Sequence, residues 1–224
     1  MVTALFAAFF LSCSVLENVH NELKAAPPEQ TIPPSMPPEE AVPSLRILDY
    51  KNRETGAALA PWLRAYLSGG VPGAEALDPY RGSYLFVSMI RSSEQAVIGQ
   101  WVKNFSVDQD FSRLAAARIR ARLDKELGSQ GPNEYYGPSY DDAVRSAYRR
   151  VFWGARREND SWILGSSAEE NPGAAEYWGF ILVSIPRDSL EIQIHELLAG
   201  VSVSKLKEQH EAFDTMREYF FERF

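Results

Sequence analysis

Apolar side chains fill positions 2–11 almost without interruption (Val2, Thr3, Ala4, Leu5, Phe6, Ala7, Ala8, Phe9, Phe10, Leu11), and the run ends on Ser12 and Cys13. A run of this length is too short to cross a bilayer as a helix but matches the core of a secretory signal. Polar residues take over to Lys24, and within residues 25–44 proline recurs at 27, 28, 33, 34, 37, 38 and 43. Proline fixes φ, removes a donor and drives the preceding residue to extended geometry, so this segment predicts polyproline II and builds no core. At about 3.1 Å per residue it reaches on the order of 60 Å.

From Leu45 onward the pattern is that of a folded domain. Residues 45–50 predict a short extended segment. Leu59, Trp62, Leu63, Tyr66 and Leu67 recur at helical spacing over residues 55–67, with Gly69 and Gly70 past the end; Pro61 alternatively marks the first turn of a helix starting near Ala60. Residues 84–90 are apolar except for Ser88 and predict a strand covered on both faces. Ser93 predicts the cap of a helix to Val102, with Trp101 on its inner side. A longer helix over 110–127 places Ala116, Ile119, Leu123 and Leu127 on one face and ends at Gly128. Its four arginines, 113, 118, 120 and 122, read as a solvated basic surface, with an anion site as the alternative.

Gly, Pro, Asn and Tyr make residues 128–138 a loop with Tyr135 and Tyr136 at its tip, and Ser139 with Asp142 predicts a capping box for a helix to Val151. Asp141 and Asp142 point about 100° apart on that helix, and the helix dipole already accounts for acids in a first turn. Residues 152–164 and 177–186 predict two antiparallel strands joined by a long hairpin loop, the second halted by Pro186. Asp188 and Glu191 cap the next helix, whose Leu190, Ile194, Leu197 and Val201 share a side. A final helical stretch over 204–224 carries Leu206, His210, Phe213, Phe220 and Phe224 as a stripe.

Composition narrows the function. About 180 residues follow the prolines, enough for one domain with its own core. Hydrophobic residues make up 45% and aromatic residues 12%, which excludes a disordered chain. The net charge of -7 argues against nucleic acid, whose affinity rests on neutralised phosphates. With one cysteine there is no intramolecular disulfide, so the core supplies the stability.

Enzymatic motifs are not found. His195 and Glu196 open a zinc-protease pattern, but Ala199 stands where the second histidine ligand belongs. Gly-rich phosphate loops and Gly-x-Ser-x-Gly elbows are absent, so no catalytic residue, cofactor or metal ligand is expected. A carboxylate pair assembled from distant positions leaves no trace in spacing, which keeps an uncharacterised hydrolase as an alternative.

Phe10, Leu11, Ser12 and Cys13 resemble a bacterial lipobox, with Cys13 as the lipidated first residue of the mature chain; the alternative is a buried structural cysteine. The strand at 84–90, Ala115-Ala116-Ala117-Arg118, Asn159-Asp160-Ser161-Trp162-Ile163 and Phe180-Ile181-Leu182-Val183-Ser184-Ile185-Pro186 together resemble the small bacterial envelope lipoproteins typified by the twenty-kilodalton Helicobacter lipoprotein, over roughly residues 84–200. That resemblance implies an α+β domain, a small antiparallel sheet packed against the long Ala-rich helix, displayed from a membrane without known catalysis. The N- and C-terminal helices lie outside it.

The expected organisation is a signal peptide at 1–12, a lipidated cysteine with a Pro-rich tether at 13–44, and a single domain at 45–224. The expected partners are a membrane through the lipid anchor, and an envelope protein or a second copy of the chain. Candidate contact residues are Tyr135, Tyr136, Tyr219 and Phe221, together with the hairpin at 165–176; the aromatic end from Tyr219 alternatively forms the edge of the core. A carrier of small apolar ligands is the competing non-enzymatic reading.

Overall fold

The computed structural model describes residues 45–127, 137–167, 174–201 and 220–224, and the statements below concern these. Four antiparallel strands form one sheet: β1 (Leu45–Tyr50), β2 (Ser83–Ser92), β3 (Arg156–Ser167) and β4 (Glu176–Pro186), in the order β1-β3-β4-β2. The architecture is α+β, as the resemblance implies.

β4 is central because every residue from Trp178 to Ile185 is buried, so neither face of that strand can meet water. Side chains alternate across a strand. Trp178, Phe180 and Leu182 therefore join Leu85 of β2 and Ile163 of β3 on one face, and Ile181, Val183 and Ile185 join Tyr84 and Phe86 on the other. Burying each large side chain contributes roughly 1.5–3 kcal/mol.

Helix α1 (Pro61–Glu75) covers the first face through Trp62, Leu63, Val71 and Ala74. Pro61 occupies its first position, where the missing donor costs nothing. The expected end at Gly69 and Gly70 is a kink instead: Gly70 adopts φ 62 and ψ -159, and Pro72 opens a further turn that carries the chain to Glu75. Trp62 is core, as read from the sequence, and its indole Nε1 is buried without a hydrogen-bond partner.

The second face is covered by α3 (Val107–Leu127), α4 (Gly137–Arg149) and α5 (Arg187–Ala199). Phe111, Ala115, Ala116, Ile119 and Leu123 of α3 are buried there, and Ala143, Val144 and Ala147 of α4 are small enough to let the two helices pack closely. α5 presents Leu190, Ile194, Leu197 and Leu198 to the same core, and Val201 just beyond it is buried as well. A short α2 (Gln95–Asn104) packs across the sheet at Gly179, inserting Ile98.

Several boundaries differ from expectation for local reasons. α2 is capped at Glu94 without a side-chain bond, and Ser92 rather than Ser93 contributes its hydroxyl, accepting from the Glu94 N–H at 3.1 Å. α4 starts at Gly137, which places the expected Ser139 cap inside the first turn. Phe152 precedes β3 and packs into the core from a loop. α5 has Pro186 at its cap position, so Asp188 serves in the first turn and not as the cap. Residues 220–223 form a 3₁₀ turn, and most of the expected helix at 204–224 lies outside the described residues.

A Cβ built on Gly179 meets Ile98 Cγ2 at 2.5 Å and Ile90 Cγ2 at 3.2 Å, whereas one on Gly99 meets nothing. Gly179→Ala is therefore expected to destabilise by about 1–3 kcal/mol through overpacking, and Gly99→Ala to stabilise by roughly 0.5–1 kcal/mol as a helix-interior replacement. Urea unfolding of both variants checks the pair; equal midpoints would refute the close approach of α2 to the sheet.

Candidate functional site

The densest convergence of charged groups lies along the outer edge of β2. As an edge strand, β2 leaves backbone groups without a ladder partner. Leu85 N–H donates to Glu75 Oε1 at 2.9 Å, and Leu85 C=O accepts from Arg118 Nη1 at 2.9 Å. Arg118 also donates to Glu75 Oε1 at 3.3 Å, and Arg187 Nη2 lies 3.5 Å from Glu75 Oε2. One carboxylate at the end of α1 and one guanidinium in the middle of α3 thus close the strand edge between the two helices.

Arg118 continues outward, donating from Nη2 to the backbone oxygen of Phe224, while the buried Arg122 donates from Nε to the Phe220 C=O at 2.8 Å. The Arg118 guanidinium lies 4.8 Å from the Phe224 ring centre and 5.3 Å from those of Tyr84 and Phe86. Arg187 stands 4.6 Å from the Tyr84 ring. Tyr84 Oη donates to Glu191 Oε1 at 2.7 Å; burial first, then that bond, pushes the phenol well above its ordinary pKa against the pull of both arginines.

Two smaller acid sites lie on β3. Asp160 accepts from Arg157 Nη2 at 2.7 Å and from Lys51 Nζ; burial raises its pKa, and these two cations outweigh that to hold it below the usual carboxylate range. Glu158, at the bulge in β3, accepts from the buried Ser184 hydroxyl and from Arg156 Nε at 2.6 Å. Burial again acts upward on Glu158, and the two donors outweigh it. Tyr140 Oη donates to Asp124 Oδ1 at 2.6 Å and is pushed up to about 12 by burial, then by that bond. In each case the acid is committed to a donor that fixes the fold.

Clefts of about 370 and 430 Å³ lie beside β1, the first lined by Ile47, Tyr50, Leu59 and Arg64, the second by Leu48, Asp49 and Glu54, with Arg53 bordering both. Among the described residues no group of three or more His, Cys, Asp and Glu is placed to hold a metal, and no helix is long and apolar enough to cross a membrane.

Of the sequence-predicted contact residues, Phe221 is half-buried and packs against His195, Phe220 and Phe224 at ring distances of 4.9, 5.2 and 5.6 Å. Phe220 is fully buried. Cys13, Tyr135, Tyr136 and Tyr219 lie outside the described residues, as does most of the 165–176 hairpin; its base is strand, with Gly165 paired to Glu176. The reading of the α3 arginines as a solvated surface is corrected at Arg118 and Arg122, which turn inward to backbone oxygens. Helix phase carried the missed signal: at about 100° per residue Arg122 falls between Phe111 and Ala115, and Arg113 and Arg120 fall on the far side. Compared with protein-family models, curated proteins and solved structures, the chain shows no match.

Glu75→Ala and Arg118→Ala are each expected to cost roughly 2–4 kcal/mol, because either leaves a half-buried charge and an unpaired Leu85 group. The double variant is expected to cost less than the sum, and additivity in urea unfolding would show the two groups to be independent. Asp160 and Glu158 bind fewer protons folded than unfolded, so their stabilisation is present above about pH 4 and lost as pH falls below it. An Asp160→Asn, Glu158→Gln chain is expected to show a flatter decline of stability between about pH 5 and pH 2; an unchanged slope would refute the assignment.

Proposed function

We propose that the chain is a lipid-anchored envelope protein whose domain docks an envelope protein or a second copy of itself and performs no catalysis. Residues 1–12 direct export, Cys13 takes the lipid, and residues 13–44 hold the domain off the membrane. The observation that carries this reading is the order of segments: an apolar run ending on the one cysteine, a proline-rich spacer, then the folded unit. β1 begins at Leu45, two residues after the last proline of the spacer, so the tether feeds directly into the sheet.

The state of the acids supports a non-catalytic role. Glu75, Glu158 and Asp160 each spend their oxygens on cations and backbone donors inside the fold. A carrier of apolar ligands needs an empty apolar space between the sheet and its helices. The described side chains on that face pack against one another in one continuous cluster, and the clefts beside β1 carry arginines.

The test is the mass and detergent partition of the protein from its native cell, compared with Cys13→Ala. The wild type is expected to be heavier than the chain cleaved before Cys13 by an acylated glyceride and to enter the detergent phase, with the variant left aqueous. Identical partition of the two, with Met1 retained, would overturn the anchor.

A further inference from the structure

We propose that the surface built on Trp153 is a membrane-contact site for anionic phospholipid headgroups, a second attachment of the domain besides the lipid. Val151, Trp153 and Ile192 are 69%, 55% and 51% exposed, the three most exposed large apolar side chains among the described residues. Two lie on one loop and the third on the helix along which this loop runs. The segment from Arg150 to Gly154 runs along α5: Arg150 Nη2 donates to Glu196 Oε2, Trp153 N–H donates to Gln193 Oε1 at 2.8 Å, and Gly154 rests on Ser189. Ile192 is the neighbour of Gln193 on that helix.

The display is rigid. Gln193 is fully buried, and its amide donates to Trp153 C=O at 2.9 Å and to Ser189 C=O at 2.8 Å while accepting from Trp153 N–H. A buried amide is thereby spent on fixing the backbone of a residue whose side chain is more than half exposed, which lowers the backbone part of the ordering cost on binding.

Charge selects the occupant. Arg145 and Arg149, one turn apart on the exposed side of α4, precede Val151 and have no ion-pair partner among the described residues. Glu196 is neutralised by Arg150, and Asp188, one turn before Ile192, is the remaining acid on that side of α5. These two guanidiniums stand eight and four residues before Trp153, with Asp141 one turn before Arg145, in a chain of net charge -7. Three apolar side chains are too few for the core of a stable protein interface, which buries roughly 1,200–2,000 Å². They suffice for shallow insertion at a bilayer surface, where indole is favoured and arginine pairs with phosphate. The choice of a membrane rests on the anchored reading above, since a tether raises the local concentration of bilayer enough for a weak contact to be occupied.

The test uses the full chain carrying Cys13→Ala, unlipidated, with vesicles of phosphatidylcholine alone or mixed with phosphatidylglycerol. Residues 2–11 give a background shared by all variants and both vesicles, so the difference is what is read. Binding to anionic vesicles is expected to weaken on the order of tenfold for Trp153→Ser and for Arg145→Gln with Arg149→Gln. Brominated lipid is expected to quench a tryptophan fraction that Trp153→Phe removes, and urea midpoints of these surface variants are expected to stay unchanged. Equal binding of parent and variants, or no preference for anionic vesicles, would overturn the site. Unchanged vesicle binding with loss of a crosslink to an envelope protein would overturn it in favour of protein docking. The lipid anchor is read separately from the mass at Cys13 and survives either failure.

Discussion

The pairing of Glu75 and Arg118 across the edge of β2 is the interaction on which the arrangement of layers depends. An antiparallel sheet with helices on both faces has a seam at an outer strand, where the two helical layers approach each other with only backbone between them. At Leu85 that seam is closed by one carboxylate from the first layer and one guanidinium from the second. Desolvating both groups is costly in isolation. Here each ion also satisfies a strand-edge peptide group that would otherwise be buried without a partner, so removing either ion exposes two deficits together. Arg118 further holds the Phe220–Arg223 turn through the Phe224 oxygen, which adds the aromatic end of the chain to the same junction.

On the opposite edge two peptide groups are also met by side chains. β1 carries an irregularity between Ile47 and Asp49; Leu48 C=O accepts from Arg53, and Tyr50 N–H donates to the Asp49 carboxylate at 2.9 Å. A bulge and charged side chains on edge peptides are how sheets resist pairing with another strand. At these positions the edge peptide groups are already engaged, which disfavours β-strand addition there. Under the proposed docking role, contact then falls to helices and loops, which is where the exposed indole of Trp153 stands.

Much of the fold was legible because its signals were local. Continuous burial made β4 readable as an apolar run, Pro186 fixed its end, Pro61 fixed the start of α1, and the face of α3 containing Ala116, Ile119 and Leu123 followed from helical spacing. The junction was not legible for two physical reasons. Glu75 lies beyond a kink where the helix would be expected to stop at Gly69 and Gly70, so nothing in the spacing connects it to Leu85 or to Arg118, 43 residues away. Arg118 and Arg122 have the composition of a solvated face and the phase of a core face, so composition alone misplaces them. An arginine that falls within the apolar arc of a helix is better read as reaching through that arc to a backbone oxygen, since its long stem packs against the core while the head finds a partner.

Gln193 obeys the same rule on a different element. It occupies the apolar side of α5 between Leu190, Ile194 and Leu197, a position where an amide costs stability unless its donors and acceptor are all engaged. One donor and the acceptor are engaged with the loop backbone at Trp153, an exposed tryptophan, and the other donor with Ser189 C=O of the same helix. A leucine at 193 would serve the core at least as well, and a solvent-facing loop needs no clamp for stability alone. A buried polar residue placed to hold the backbone of an apolar surface residue favours contact over packing as the reason for its position. The energetic logic is that of preorganisation: the cost of ordering the Trp153 backbone is met during folding, so less remains to be met on contact.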